Sequence, residues 1–150
     1  MEATTQNTET PKVQPSTEWS AEDVVRIQLE ALAANDEPWV NHGVQTAYLF
    51  CEDAGSMEMS RYFGGLTSIY HEDHFVGLLT TKCGAMVDNR GFAILSVEKV
   101  EPDADLQVVR VQVTDAAGAD GGVFRFTIGP REFGVYKGAL HVRQLVKESP

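Results

Sequence analysis

The chain has 150 residues, a formal net charge of −10, and 43% apolar and 23% charged side chains. That composition excludes a wholly disordered, collagen-like or disulfide-framework protein, and a chain of this length buries roughly 70% of its unfolded surface without a metal or a covalent staple. Residues 1–75 hold 3 basic and 13 acidic side chains against 9 of each in 76–150, so the imbalance lies in the first half, where it disfavours nucleic acid and anionic membranes as partners.

Residues 1–18 are rich in Thr, Glu, Gln and Pro and almost free of large apolar groups. They are expected to form a mobile, disordered tail, because they bury too little to offset the entropy of ordering. The tail has neither the apolar core of a secretion signal nor the arginines of a transit peptide. An intracellular, cytoplasmic location is therefore expected, with a plastid or another organelle open if a targeting segment has been removed. No apolar run approaches the ~20 residues of a membrane span.

One domain is expected over 19–148. Ser20 followed by Asp23 reads as a capping box, and Val25, Leu29 and Leu32 recur at helical spacing, with Gln28 elsewhere on the cylinder. The pattern predicts a helix over about 20–34, ended by Asn35 and Asp36. Pro38 suits a first helical position, and Val40, Val44 and Ala47 or Tyr48 predict a second helix over about 38–50, interrupted by Gly43. A third is predicted from Met59 to Tyr70, with Met59, Phe63, Leu66 and Tyr70 on one stripe. Gly64 and Gly65 weaken it by about 1–2 kcal/mol against alanines, so it needs packing to survive.

After about residue 75 the period changes to two. Ala93, Leu95 and Val97 alternate with Ile94 and Ser96; Val109, Val111 and Val113 with Arg110 and Gln112; Phe124, Phe126 and Ile128 with Arg125 and Thr127; Leu140 and Val142 with His141 and Arg143. These are strands of an antiparallel sheet. Asp88 to Gly91 reads as a tight turn, and Asp115 to Gly122 as a loose hairpin loop. Helices first and meandering strands afterwards predict an α+β domain, N-terminal helices packed on a curved antiparallel sheet, cone-like with an internal cavity. If Val109, Phe124, Phe126 and Leu140 face the helices, then Arg110, Arg125, His141 and Arg143 share the opposite face. Arginine suits interfaces because its planar fork pairs with carboxylates.

Few motifs carry chemistry. Cys51 and Cys83 are too few for a disulfide framework and are read as buried, reduced thiols. His71 and His74 fall three apart on one helix face, but their separation from the cysteines matches no zinc motif, and they read as a solvated helix end. No phosphate loop and no nucleophile elbow is present. Neither a metal nor a cofactor is expected.

Residues 23–32, 43–50 (Gly-Val-Gln-Thr-Ala-Tyr-Leu-Phe) and 134–138 (Gly-Val-Tyr-Lys-Gly) resemble an uncharacterised plant and bacterial domain family of the nuclear transport factor 2-like superfamily. The resemblance spans about residues 20–146. It implies the cone fold and a tendency to dimerise through the sheet. Where that family tends to have Cys-Trp after Tyr-Lys-Gly, this chain has Ala139 and Leu140. Enzymes of the superfamily, ketosteroid isomerase and scytalone dehydratase among them, set a carboxylate or histidine base beside tyrosine donors inside the cone. Residues of those types here are Tyr48, Tyr62, Tyr70, His71, Asp73 and His74. The expected function is a non-enzymatic protein-binding or assembly module, docking a protein partner or a second copy through its sheet face. The alternatives are a small isomerase or dehydratase, or a carrier of a small apolar ligand.

Overall fold

A computed structural model describes residues 10–102 and 105–148. In chain order it holds helices α1 (Ala21–Ala33), α2 (His42–Leu49) and α3 (Glu72–Lys82), a 3₁₀ turn at Gly84–Met86, and strands β1 (Gly91–Lys99), β2 (Gln107–Thr114), β3 (Asp120–Pro130) and β4 (Leu140–Lys147). The strands form one open antiparallel sheet in the order β1-β2-β3-β4. The architecture is α+β.

Helix α1 begins where its capping box places it. The Asp23 amide donates to Ser20 Oγ at 3.1 Å and the Ser20 amide to Asp23 Oδ2 at 3.0 Å, satisfying donors that a helix start leaves open. Val24, Val25, Leu29 and Leu32 are buried. Gln28 is buried with them rather than turned away; its Nε2 donates to the Val24 carbonyl at 3.0 Å, which lets an amide enter the core.

The second helix starts at His42, four residues later than Pro38. Asp36 and Asn35 hold the intervening residues in a turn: Asp36 Oδ1 accepts from the Asn41 amide at 2.9 Å, and Asn41 adopts a left-handed conformation (φ 63°). Asn35 Oδ1 accepts from the Val44 amide at 3.0 Å, so α1's terminal asparagine supplies α2's cap. Gly43 is not an interruption but the point of closest approach between the two helices. A Cβ there would lie 2.5 Å from the Ala31 carbonyl oxygen.

The helix expected over Met59–Tyr70 is absent. That stretch is irregular, with an isolated antiparallel bridge between Ser60 and Thr67. Phe63 is buried while Met59 and Leu66 are more than half exposed, at 55% and 54%, so the proposed stripe does not exist. Gly64 turns the chain at φ 96°, and the Ser60 hydroxyl is engaged by donating to Asp53 Oδ2 at 2.7 Å and accepting from the Tyr62 amide at 3.0 Å. Such local bonds offer the backbone an alternative to a helix. The third helix forms instead at Glu72–Lys82, with two acids in its first turn, a lysine in its last, and only Phe75 and Leu79 buried.

In the sheet, Val109, Val111 and Val113 of β2 and Phe124, Phe126 and Ile128 of β3 are fully buried. In β1 the inward set is Phe92 and Ile94, which oppose Val113 and Val111, and the pairing shifts between Ile94 and Ser96. Leu95 is left 48% exposed. Asn89 in the turn before β1 donates to the carbonyls of Leu29 and Met86, at 3.0 and 2.9 Å, tying the start of the sheet to α1. Beyond β4, residues 50–52 add a short parallel contact: the Val142 amide donates to the Phe50 carbonyl and the Glu52 amide to the Val142 carbonyl, both at 2.8 Å. The core between helices and sheet is filled by Tyr62, Phe50, Phe75, Phe124 and Phe126 with the aliphatic residues around them.

Residues 10–18, counted above as mobile tail, are seated on the fold. Pro11 and Pro15 are buried, and the Trp19 indole donates to the Gln14 carbonyl at 2.8 Å. The rest of that tail lies outside the described residues.

Candidate functional site

The residues of β2, β3 and β4 that alternate with the buried set face away from the core. Register fixes their order: Val108 opposes Thr127, Arg110 opposes Arg125, Gln112 opposes Val123, and on the next strand Arg125 opposes Val146 and Thr127 opposes Gln144. Two arginines directly across a ladder repel each other unless an anion intervenes. Glu148 supplies it. Arg110 Nε donates to Glu148 Oε2 at 2.8 Å and Arg110 Nη2 to Oε1 at 2.9 Å, a bidentate pair.

These hydrogen bonds hold the Glu148 carboxyl below the usual carboxylate range and raise Arg110 in return. The Arg125 charge also acts on Glu148, and the Glu98 charge on Arg110. Across the sheet from β1 to β4 the outer face thus carries Glu98, Arg110, Arg125 and Glu148, with Glu148 acting on both arginines and Glu98 on Arg110. A cleft of about 440 Å³ adjoins it, lined in part by Gln112, Asp120, Val123 and Lys147. Gln112 Nε2 donates to Asp120 Oδ1 across the cleft's wall.

Of the four arginine and histidine candidates, Arg110 and Arg125 take part in this charged group. His141 is fully buried. Its Nδ1 donates to the Ala139 carbonyl at 2.9 Å, its ring lies among those of Phe50 and Tyr136, and burial lowers its pKa. Arg143 falls where the β3–β4 pairing shifts, folds over Gly129, and donates from Nη2 to the Pro130 carbonyl at 2.8 Å. Both keep the side of the sheet that the alternation assigns, since His141 opposes Gly129 and Arg143 lies over it, but His141 is covered and Arg143 is folded back on a backbone carbonyl, so neither joins the charged group. Glu98 and Glu148 were missed. Glu148 had a signal, since it extends the series Gln144, Val146, Glu148 along β4's alternation.

The six cavity candidates are not brought together. Tyr62 is fully buried against Phe63 and Phe75, and burial raises its hydroxyl well above the usual tyrosine value. The Tyr48 hydroxyl lies 3.0 and 2.9 Å from the Ile69 and Tyr70 carbonyls. Tyr70 stacks edge-on against His71, and His71, Asp73 and His74 are exposed at the start of α3. Cys51 and Cys83 are free and buried, and burial pushes the Cys83 thiol up to about 12 and Cys51 higher still. Among the described residues no group of three or more His, Cys, Asp or Glu side chains is placed to hold a metal, and no helix is long and apolar enough to cross a membrane.

A second charged cluster, unforeseen in the sequence, gathers beside the Cys51–Val142 bridge. The Arg131 guanidinium donates to the Glu52 carbonyl at 3.3 Å. Burial raises the Glu52 carboxyl, against the opposing charges of Arg131 and Arg143. A shallow cleft of about 280 Å³ next to it is walled by Tyr48, Ala54, Arg131 and Tyr136. Comparison of the chain with protein-family models, with curated proteins and with solved structures finds no match.

Proposed function

We propose that this chain is a non-enzymatic assembly module of the nuclear transport factor 2-like type, and that it docks a second copy of itself through the outer face of the sheet. The observation that carries the reading is the mixed charge of that face, where Arg110 and Arg125 lie between Glu98 and Glu148. With the two-fold axis over β2, the β1 side of one copy faces β3 of the other, and Arg125 of each copy meets Glu98 of its partner. A two-fold interface must be self-complementary in this way. Leu95, Val108, Val123 and Val146, each at least partly accessible, give the same face apolar area between the charges. The pairing of Arg110 and Glu148 within one copy fixes both side chains before association and lowers the entropy lost on docking.

Sedimentation velocity tests it. The protein is expected to sediment as a dimer at low ionic strength. Arg125→Glu weakens self-association by roughly tenfold or more, about 1.4 kcal/mol. Adding Glu98→Arg to that variant restores the dimer by exchanging the two charges that meet across the interface. A wild-type chain that stays monomeric at tens of micromolar, or a double variant no better than the single one, refutes the reading.

A further inference from the structure

His42 stands at the start of α2 and is only 7% exposed. Its Nε2 accepts a hydrogen bond from the Lys12 backbone amide at 3.1 Å, which requires the ring to be neutral with its proton on Nδ1. That bond joins a segment thirty residues away to the helical layer. Around it the segment 10–15 covers a cleft of about 240 Å³ between α1 and α2, walled by Val13 from the segment, Ile27, Glu30 and Ala31 from α1, and His42 and Thr46 from α2. The segment is also held by the buried Pro11 and Pro15 and by the Trp19 indole, which donates to the Gln14 carbonyl at 2.8 Å on an exposed side. The Lys12 ammonium lies 5.5 Å from the centre of the Trp39 ring, and Tyr136 donates to Gln14 Oε1 at a long 3.3 Å.

We infer that residues 10–15 are a proton-released strap: neutral His42 holds them closed over the α1–α2 cleft, and protonated His42 lets them go. A protonated Nε2 is a donor, so it faces the Lys12 amide donor to donor. The new charge also sits next to the Lys12 ammonium and at the positive end of α2. Other groups around the ring are Glu30, whose carboxylate attracts an imidazolium; the Glu37 carbonyl, which does the same; and Trp39, whose ring packs edge-on at 4.9 Å. Burial is the largest influence and lowers the His42 pKa; the Glu37 carbonyl pulls it back and Lys12 lowers it further. A lowered value in the closed form means the strap is fully held above the ordinary histidine pKa of about 6.5 and is lost as pH falls through the lowered value. Release uncovers the side chains of Ile27, Ala31 and Thr46.

The test reads backbone ¹⁵N relaxation of Lys12, Val13 and Gln14 in the full chain from pH 7.5 to 4.5, with α1 amides as internal reference. The strap is expected to be as rigid as α1 at pH 7.5 and mobile at pH 4.5. His42→Gln, which does not titrate, abolishes the pH dependence. Lys12→Pro deletes the donor outside the core and leaves the strap mobile at pH 7.5. A wild-type strap rigid across the range, an unchanged transition in the glutamine variant, or a rigid strap in the proline variant each overturns the inference.

Discussion

Gly43 shows how one side chain's absence sets a helix crossing. Its missing Cβ lets α2 approach the last turn of α1 until the Ala31 carbonyl and the Leu32 Cα lie 2.5 and 2.8 Å from where that carbon would be. Both neighbours are backbone and cannot rotate aside. Gly43→Ala is therefore expected to lower unfolding free energy by about 1–3 kcal/mol, the range for an overfilled core. Gly65→Ala is the control, because nothing lies within 4 Å of its added carbon. Equal denaturant midpoints for the two variants would show that the helices part without strain. Asn35 is the companion of Gly43: its Oδ1 accepts from the Val44 amide and its Nδ2 donates to Asn41 Oδ1 at 2.9 Å. One short polar side chain just after α1 thus caps the start of α2.

Among elements, α1 and the missing helix over 59–70 make the instructive pair. The α1 segment agrees with itself at every level: a cap, two acids in the first turn, and a stripe of Val24, Val25, Leu29 and Leu32. Ser20→Ala leaves the Asp23 amide without its acceptor and is expected to lower stability by about 1 kcal/mol, readable as a shift of the urea midpoint with unchanged slope. The 59–70 segment has helical apolar spacing but carries Ser60, Gly64 and Gly65, residues that favour turns. Spacing alone gave the wrong answer because Met59 and Leu66 of the stripe are left exposed, while Tyr62 and Ile69 outside it are buried with Phe63. Helix α3 was missed for the converse reason. With two buried positions in eleven residues its stripe is too narrow to stand out, and it is held by docking Phe75 among Tyr48, Tyr62 and Phe63.

Across the whole molecule, the helices cover one face of the sheet and leave the other to carry charge. The acidic excess of the first half belongs to the helical layer and its approaches, while the sheet half is balanced. A face that is neutral in sum and mixed in sign lacks the long-range repulsion that the acidic side would exert on a second copy. Its attraction is short-ranged and partly accessible to solvent, so it is screened by salt. Dimer dissociation in sedimentation is accordingly expected to rise steadily between roughly 0.05 and 1 M salt, where the Debye length falls to about 3 Å. A dimer indifferent to salt would place the binding energy in the valines of the face instead.

The α+β class, the capping of α1, the burial of the alternating valines and phenylalanines in β2 and β3, and the turn before β1 are all legible in the residue pattern. Each follows from contacts within a few residues or from a strict period, and such signals survive without knowledge of what packs where. Tertiary structure alone decided the rest. It took Gln28 into the core, where the Val24 carbonyl accepts its amide proton, and seated Pro11 and Pro15 of the supposed tail. It also covered His141, folded Arg143 back onto the Pro130 carbonyl, and joined Glu98 and Glu148 to Arg110 and Arg125. Those outcomes depend on what covers each position and on side chains reaching across strands. Both are set by the fit of distant segments, and no local spacing encodes them.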